Sequence, residues 1–329
     1  MSLLTIGIPT FNRKKIVKKN ILNILNDNFL FDNDINLIVS DNGSTDGTFD
    51  SLSDIQKQYK FDKKIKIIRN KKNLGFTKNI IKLFESSSTK YLLLTSDEDF
   101  IIKKNFYLLK NFIKEKKITF ICSQILHNGA RLQGKNNIRN LKSSEWNTGA
   151  FVSGLVYDVE AVNVIISKYY DLLTDYHLYY IQNYLTAELM IAHPYSQWFF
   201  KYPLIKKKFN EPTTISKNEK YPYWSVPGRW ECHFAEEKYF LSRYSNEINH
   251  NSKNLIMNFV KKNRFDIYRS FIYAFEKDNP EMLSDFRSGM LQNEFGPFSF
   301  VANLLRVAKK SISYIIKKIR NLVINYCYK

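Results

Sequence analysis

Along the first hundred residues, short apolar runs alternate with segments whose apolar positions recur every three or four residues, and polar turn formers separate them. The runs at 3–9, 35–40, 65–69 and 90–94 have the length and continuity of strands buried on both faces of a parallel sheet. Between the first two, Ile16, Val17, Ile21, Ile24 and Leu25 mark an amphipathic helix over 14–25. Further helices are predicted up to Tyr59 and from Phe76 to Phe84. Pro9 is expected to stop the first strand. Four strand-helix units in succession predict an α/β fold with right-handed crossovers, a mainly parallel sheet flanked by helices, and the carboxyl ends of the strands along one rim.

After Asp99 the pattern predicts a helix over 104–114 and a strand over 118–123 that continue the sheet. Residues 127–149, rich in Asn, Gly and Lys, read as a surface excursion. The segment from Ala150 to Tyr157 reads as another strand, and an apolar helix follows from about Asp175 to Ile191. Trp198-Phe199-Phe200-Lys201-Tyr202-Pro203 and the stretch from Tyr221 to Trp230 read as aromatic, proline-rich loops. From Glu236 to the end the pattern is helical, with a break at Gly296-Pro297.

The rim carries the chemistry. The run from Lys90 to Leu94 ends in Thr95-Ser96-Asp97-Glu98-Asp99. If the chain stays extended, Asp97 and Asp99 leave on one face and Glu98 on the other. Two such carboxylates suit a hard divalent cation, Mg²⁺ or Mn²⁺, which keeps positions open for water and phosphate. The alternative is a helix start capped by Ser96 or Asp97. Pro9 to Arg13, Asp41 to Gly43 and Asn73 to Lys78 end the other strands and complete a nucleotide site. Asp41 can accept from a base N–H, and Thr10 with the backbone beside Pro9 can cover base or ribose. Lys78, Lys72 and Arg13 can offset diphosphate charge. A plain turn at Asp41-Asn42-Gly43 and a solvated surface at Lys72 and Arg13 are the competing readings. Neither Gly-x-Gly-x-x-Gly after the first strand nor a Walker motif occurs, which disfavours a dinucleotide dehydrogenase or a P-loop nucleotidase.

Ile8-Pro9-Thr10-Phe11-Asn12-Arg13, Ser40-Asp41-Asn42-Gly43-Ser44-Thr45-Asp46-Gly47-Thr48, Asn73-Leu74-Gly75-Phe76-Thr77-Lys78-Asn79 and Ser96-Asp97-Glu98-Asp99 resemble, in order and spacing, the family 2 glycosyltransferases of GT-A fold. The resemblance is close over 3–100 and looser to about 190. It implies a GT-A fold and a nucleotide-diphosphate sugar donor, with Asp41 on the base, Asp97 near ribose and metal, and Asp99 as principal metal ligand. Pro9, Thr10, Asn12, Arg13, Asn42, Asn73, Gly75 and Lys78 fall in the same donor site. The expected organisation is a GT-A domain over 1–235, split into a nucleotide-sugar half (1–100) and an acceptor half (101–235), followed by a helical extension over 236–329. Gly154 resembles the family's glycine on the acceptor side, where a missing side chain permits close approach of the sugar.

An inverting transfer needs a base for the acceptor hydroxyl. The family's base is an Asp in a Glu-Asp pair about twenty residues after that glycine. Here Leu173-Thr174-Asp175-Tyr176-His177 stands there, without the pair. Asp175 is the first candidate, with a helix N-cap as its alternative. His177 is the second, against a packed helix residue, and Glu188 the third. Trp224 and Trp230 are candidate acceptor contacts, core packing being the usual fate of such rings.

Composition adds the partner. Fifty Lys and Arg against 31 Asp and Glu give a net charge of +19, which calls for an anionic partner. A nucleic acid is disfavoured, because it gives the rim acids no purpose. Over 301–329, apolar Leu304, Leu305, Ala308, Ile312, Ile315, Ile316, Ile319, Leu322 and Val323 are punctuated by Arg306, Lys309, Lys310, Lys317, Lys318 and Arg320 in a predicted helix. Such a helix lies on an anionic membrane or packs on the protein's own core. Three widely spaced cysteines, no apolar span of membrane length and no leader pattern make the expected location cytoplasmic, at the inner face of the cytoplasmic membrane. The expected function is metal-dependent, inverting sugar transfer to a bacterial surface glycan of capsule, O-antigen or lipooligosaccharide type, with a lipid-linked acceptor giving the membrane contact its purpose. The missing Glu-Asp pair prompts a rival, a catalytically inactive nucleotide-binding protein.

Overall fold

The computed structural model describes residues 2–207, apart from 33, 60–63, 128–129, 132–137, 142–151 and 176–179, together with 239 and 242. The chain divides into two compact units, Met1–Thr214 and Ile215–Lys329, and the architecture below is that of the first. In order its elements are β1 (Leu4–Thr10), α1 (Lys14–Leu25), α2 (Phe29–Asp32), β2 (Ile35–Asp41), α3 (Thr48–Tyr59), β3 (Ile65–Arg69), α4 (Phe76–Ser86), β4 (Tyr91–Leu94), β5 (Phe100–Ile101), α5 (Phe106–Glu115), β6 (Phe120–His127), β7 (Ala130–Arg131), β8 (Arg139–Asn140), β9 (Leu155–Asp158), α6 (Val159–Asp175), α7 (Ile181–Ala192) and β10 (Gln197–Lys207). Trp224, Trp230, the extension expected from Glu236 apart from 239 and 242, and the segment 301–329 expected to form a basic helix lie outside the described residues.

Among the described residues one sheet forms, in the order β3-β2-β1-β4-β9-β6-β10-β5, with β7 on β6 and β8 on β10. The four strands of the first half are parallel, as their continuous apolar runs predict. The second half is mixed, with β10 parallel to β6. β9 lies antiparallel between β4 and β6, and β5 is antiparallel to β10. The strand expected over 118–123 is β6, which continues the same sheet but not next to β4. The later β9 takes that place, because its buried Leu155, Val156 and Tyr157 suit a central position.

Pro9 does not stop β1, which pairs with β2 as far as Thr10 opposite Asp41. Pairing with β4 ends earlier, at Gly7 opposite Leu94. The Thr10 carbonyl bonds toward β2, so the backbone of Pro9 faces the other side, where β4 has already left and no donor is required. β10 corrects the second expectation: the aromatic segment from Trp198 to Pro203 is strand, not loop. Its register with β6 shifts between Phe200 and Ile205, and the irregularity accommodates Pro203.

Leu4, Ile6 and Ile8 pack on one side of the sheet with Val17, Ile21 and Ile24 of α1 and Leu109 and Ile113 of α5. On the other side α4 packs on β1, β2 and α6. The helix expected from Asp175 to Ile191 is two elements. Val159, Val162, Ile165, Ile166 and Leu173 extend a buried stripe through α6 to Asp175, and α7 begins only at Ile181. Asp175 thus closes a helix instead of capping the start of one.

Candidate active site

β4 ends at Leu94, and the Thr95 N–H still bonds the Gly7 carbonyl at 3.1 Å. The chain then turns, with the Asp99 N–H on the Ser96 carbonyl at 3.4 Å. The acids therefore sit in a tight turn and not in an extended strand. The next element is β5, and the α5 helix starts only at Phe106, so neither Ser96 nor Asp97 caps a helix.

Each carboxylate of this turn is held from a different element. The Thr10 hydroxyl donates to Asp97 Oδ2 at 2.7 Å. The Arg13 guanidinium lies 3.0 Å from Glu98 Oε2 and 3.8 Å from Asp97 Oδ1. Glu98 is thus not segregated on the opposite face, because the turn lets one cation reach both acids. Arg13 is accordingly not a solvated surface cation: its side chain is 9% exposed. The Ser153 hydroxyl donates to Asp99 Oδ2 at 2.6 Å and accepts from the Ser96 N–H at 2.8 Å. Burial pushes Asp97 up to about 6 against the pull of Arg13 and Thr10, and the charges of Glu98 and Asp99 push the same way as burial.

Asp41 ends β2 fully buried. The Ser44 N–H lies 3.3 Å from both its carboxylate oxygens, and the Ser44 hydroxyl donates to Oδ1. Burial raises Asp41 above the usual carboxylate range, while Ser44 and the Arg69 charge oppose the rise. Gly43 follows with φ +76°, and a Cβ there would stand 2.6 Å from the Lys72 carbonyl carbon. Only glycine lets the two loops meet backbone to backbone. Asn42 clamps them. Its amide donates to Asn73 Oδ1 (2.8 Å) and the Gly75 carbonyl (3.2 Å), and its oxygen accepts from Asn70 Nδ2 and the Leu74 N–H, both at 3.0 Å. That fills the hydrogen-bonding capacity of an Asn side chain. Asn12, at φ 52°, donates its N–H to Ser44 Oγ (2.8 Å) and accepts from the Thr45 N–H (2.9 Å), which fixes the loop after β1 against the loop after β2. Lys72, Asn73 and Lys78 are exposed beside them.

Gly154, expected on the acceptor side, precedes β9 at φ +85°, and a Cβ there would stand 2.5 Å from Ser123 Oγ. Its N–H bonds the Leu94 carbonyl (2.9 Å) and its carbonyl accepts from the Ser123 N–H (3.0 Å), so it is clasped between β4 and β6. Glu188 is buried within α7 at 2% exposure, and His177 lies outside the described residues. Sequence reasoning passed over Asn20 and Ser153. Asn20 stands on the buried stripe of α1 between Val17 and Ile21, and a polar residue on an apolar stripe is the signal that could have found it.

A parallel α/β half whose rim ends in a pinned pair of loops and a buried acidic turn, joined to a mixed half in which β9 is antiparallel to its neighbours and β10 is parallel to β6, is the architecture of GT-A glycosyltransferases. The sequence profile of glycosyl transferase family 2 matches residues 5–170, and the chain belongs to that family. It is similar to the abequosyltransferase RfbV of Salmonella typhimurium, 29% identical over 122 residues. That match spans 37% of this chain and only 36% of the relative. Among solved structures, S. aureus TarS 1–349 in complex with UDP-GlcNAc superposes with a TM-score of 0.64 at 14% identity, covering 92% of this chain and 81% of that one. The mannosyltransferase PcManGT from Pyrobaculum calidifontis, in complex with GDP-Man and Mn²⁺, gives 0.51 at 11% identity, covering 96% and 82%. These likenesses establish the fold.

Proposed function

We propose that this protein is a metal-dependent, inverting glycosyltransferase that moves a sugar from a nucleotide diphosphate to a bacterial surface glycan. The observation that carries the reading is the buried acidic turn, with Asp97 held by Thr10 and Arg13 from the donor half and Asp99 held by Ser153 from the acceptor half. Among the described residues no three His, Cys, Asp or Glu side chains gather as a self-sufficient metal site. Two carboxylates fit a cation whose remaining ligands are substrate phosphates and water. Asp99 and Asp97 are the residues that would hold Mn²⁺ or Mg²⁺, and the bound ion offsets charge on the departing diphosphate. TarS with UDP-GlcNAc and PcManGT with GDP-Man and Mn²⁺ support a donor and cation of these classes.

In this reading Asp41 recognises the base. Asn12, Asn42, Asn73 and Gly75 shape the pocket, and Pro9 and Thr10 cover base or ribose. Arg13, Lys78 and Lys72 meet the diphosphate. Arg13 already balances Glu98 and Asp97, so an arriving diphosphate competes for a cation that the site holds in place. The bond from the anomeric carbon to the phosphate oxygen breaks as the acceptor oxygen attacks from the opposite face, and the acceptor proton passes to the base. Asp175 is assigned that role, with His177 its rival. Gly154 is assigned to the acceptor side; Trp224 and Trp230, proposed as acceptor contacts, lie outside the described residues. The similarity to an abequosyltransferase supports sugar transfer; the acceptor in this reading is a glycan, lipid-linked and reached at the inner membrane face.

Thermal shift with UDP-, GDP-, CDP- and dTDP-sugars, each with and without Mn²⁺, tests the donor half of the reading. One donor class is expected to stabilise the protein in a metal-dependent way. No shift with any pair overturns it. Metal-dependent binding without transfer to any glycan acceptor replaces it with the inactive nucleotide-binding protein.

A further inference from the structure

One side chain outside the rim loops governs the acidic turn. Asn20, 2% exposed on the inner face of α1, directs its amide nitrogen at three carbonyls of that turn. They are Ser96 O at 3.4 Å, Asp97 O at 3.1 Å and Asp99 O at 3.0 Å. Its own Oδ1 is buried and has no hydrogen-bond partner among the described residues. Leaving a buried acceptor unmade costs free energy that an apolar residue would avoid. The neighbours on that stripe, Val17, Ile21, Ile24 and Leu25, are all apolar. The gain from the three carbonyls is what offsets this cost.

We propose that Asn20 is a positioning residue: it gathers the backbone of Ser96, Asp97 and Asp99 around one amide and so fixes where the Asp97 and Asp99 carboxylates stand. The carboxylates are secured separately, by Thr10 and Arg13 on one and Ser153 on the other. Asn20 adds a backbone anchor common to both acids, beside the Asp99 N–H bond to the Ser96 carbonyl and the Ser96 N–H bond to Ser153. Residues that orient the groups around a metal are worth about 10- to 100-fold in its affinity when removed. The part that concerns metal rests on the donor-site reading above; the backbone anchoring does not.

The test uses the full chain and three variants. Asn20→Leu keeps the size and removes the donors, Asn20→Gln keeps a donor amide, and Asn20→Ala takes the place of Leu if that variant does not fold. Hydrogen exchange in the ligand-free protein is expected to quicken over 95–101 in the Leu variant, with β2 unchanged. Mn²⁺ titration in the presence of UDP, GDP, CDP or dTDP is expected to show affinity lower by about 10- to 100-fold, recovered in part by Gln. Unchanged exchange over 95–101 overturns the anchoring. Faster exchange with unchanged Mn²⁺ affinity overturns its role in positioning the acids. A wild-type protein that binds no Mn²⁺ with any nucleoside diphosphate, while the Leu variant still exchanges faster, defeats the donor-site reading and leaves the anchoring standing.

Discussion

Ser153 Oγ joins Asp99 Oδ2 at 2.6 Å, across 54 residues of sequence. The same oxygen accepts from the Ser96 N–H, so one hydroxyl orients both the carboxylate and the backbone of the acidic turn. It comes from the bend just before β9, the strand between β4 and β6. Ser153→Ala is expected to lower the metal affinity of the donor complex by about 10- to 100-fold and to keep the fold. A Mn²⁺ titration beside a melting curve checks it; unaltered affinity makes Ser153 a packing residue only.

Asp97 gives a pH dependence with a definite sign. Its ordinary value is 3.8, and burial pushes it to about 6 in the folded protein. Between those values the folded state keeps a proton that the unfolded chain has lost. Stability attached to that proton is fully present below 3.8 and is lost as pH rises through about 6. The loss is on the order of 3 kcal/mol. In melting curves without ligand, Asp97→Asn should therefore gain on the wild type from pH 4 to pH 7. Mn²⁺ with the donor reverses the order above pH 6, because only the wild type presents a full carboxylate. A gap between the two that does not move with pH contradicts the assignment.

Asp41 and Asn42 are adjacent but should fail differently. Asp41→Ala is expected to weaken donor binding and leave metal binding largely alone. Asn42→Ala strips partners from the Asn70 amide and the Leu74 N–H and frees the loop at Gly75. It should cost on the order of 3 kcal/mol of folding stability. Denaturant unfolding and donor titration of both variants separate the two roles. Equal loss of donor affinity without loss of stability in Asn42→Ala would place its amide on the donor instead.

For the base, Asp175→Asn is expected to abolish transfer and keep donor binding, since it removes proton acceptance with little change of shape. His177→Gln is the control. If its loss is the larger, the base is His177 and Asp175 serves to end α6.

The segment 301–329 is predicted to bind anionic vesicles through Arg306, Lys309, Lys310, Lys317, Lys318 and Arg320, each worth about 1 kcal/mol near the surface. Vesicle sedimentation of the full chain against a chain ending at Phe300, with anionic and neutral lipid, measures it. Equal binding by both chains returns the helix to the protein's own core.

The sequence by itself determined the first half of the fold and the placing of Asp41 and the acidic turn at the carboxyl ends of its strands. Leu4 to Thr10, Ile35 to Asp41 and Tyr91 to Leu94 are buried apolar runs, each followed directly by turn formers or acids. Run length and turn chemistry are local properties, legible in a window of ten residues. Helix period likewise placed α1, α3 and α4. What only the tertiary structure decided depends on partners far along the chain. The insertion of β9 between β4 and β6 is a choice among strands of similar pattern, made by packing and not by period. Pro203 sits inside β10 because a register shift against β6 absorbs it, and a shift between two strands has no signature in either alone. The acidic turn shows the limit most clearly. Its carboxylates were visible in the sequence, yet the groups that aim them are Thr10, Arg13, Asn20 and Ser153, between 54 and 87 residues away. A hydrogen bond depends on where two atoms meet, and for atoms that far apart in the chain only the assembled sheet and its helices bring them together.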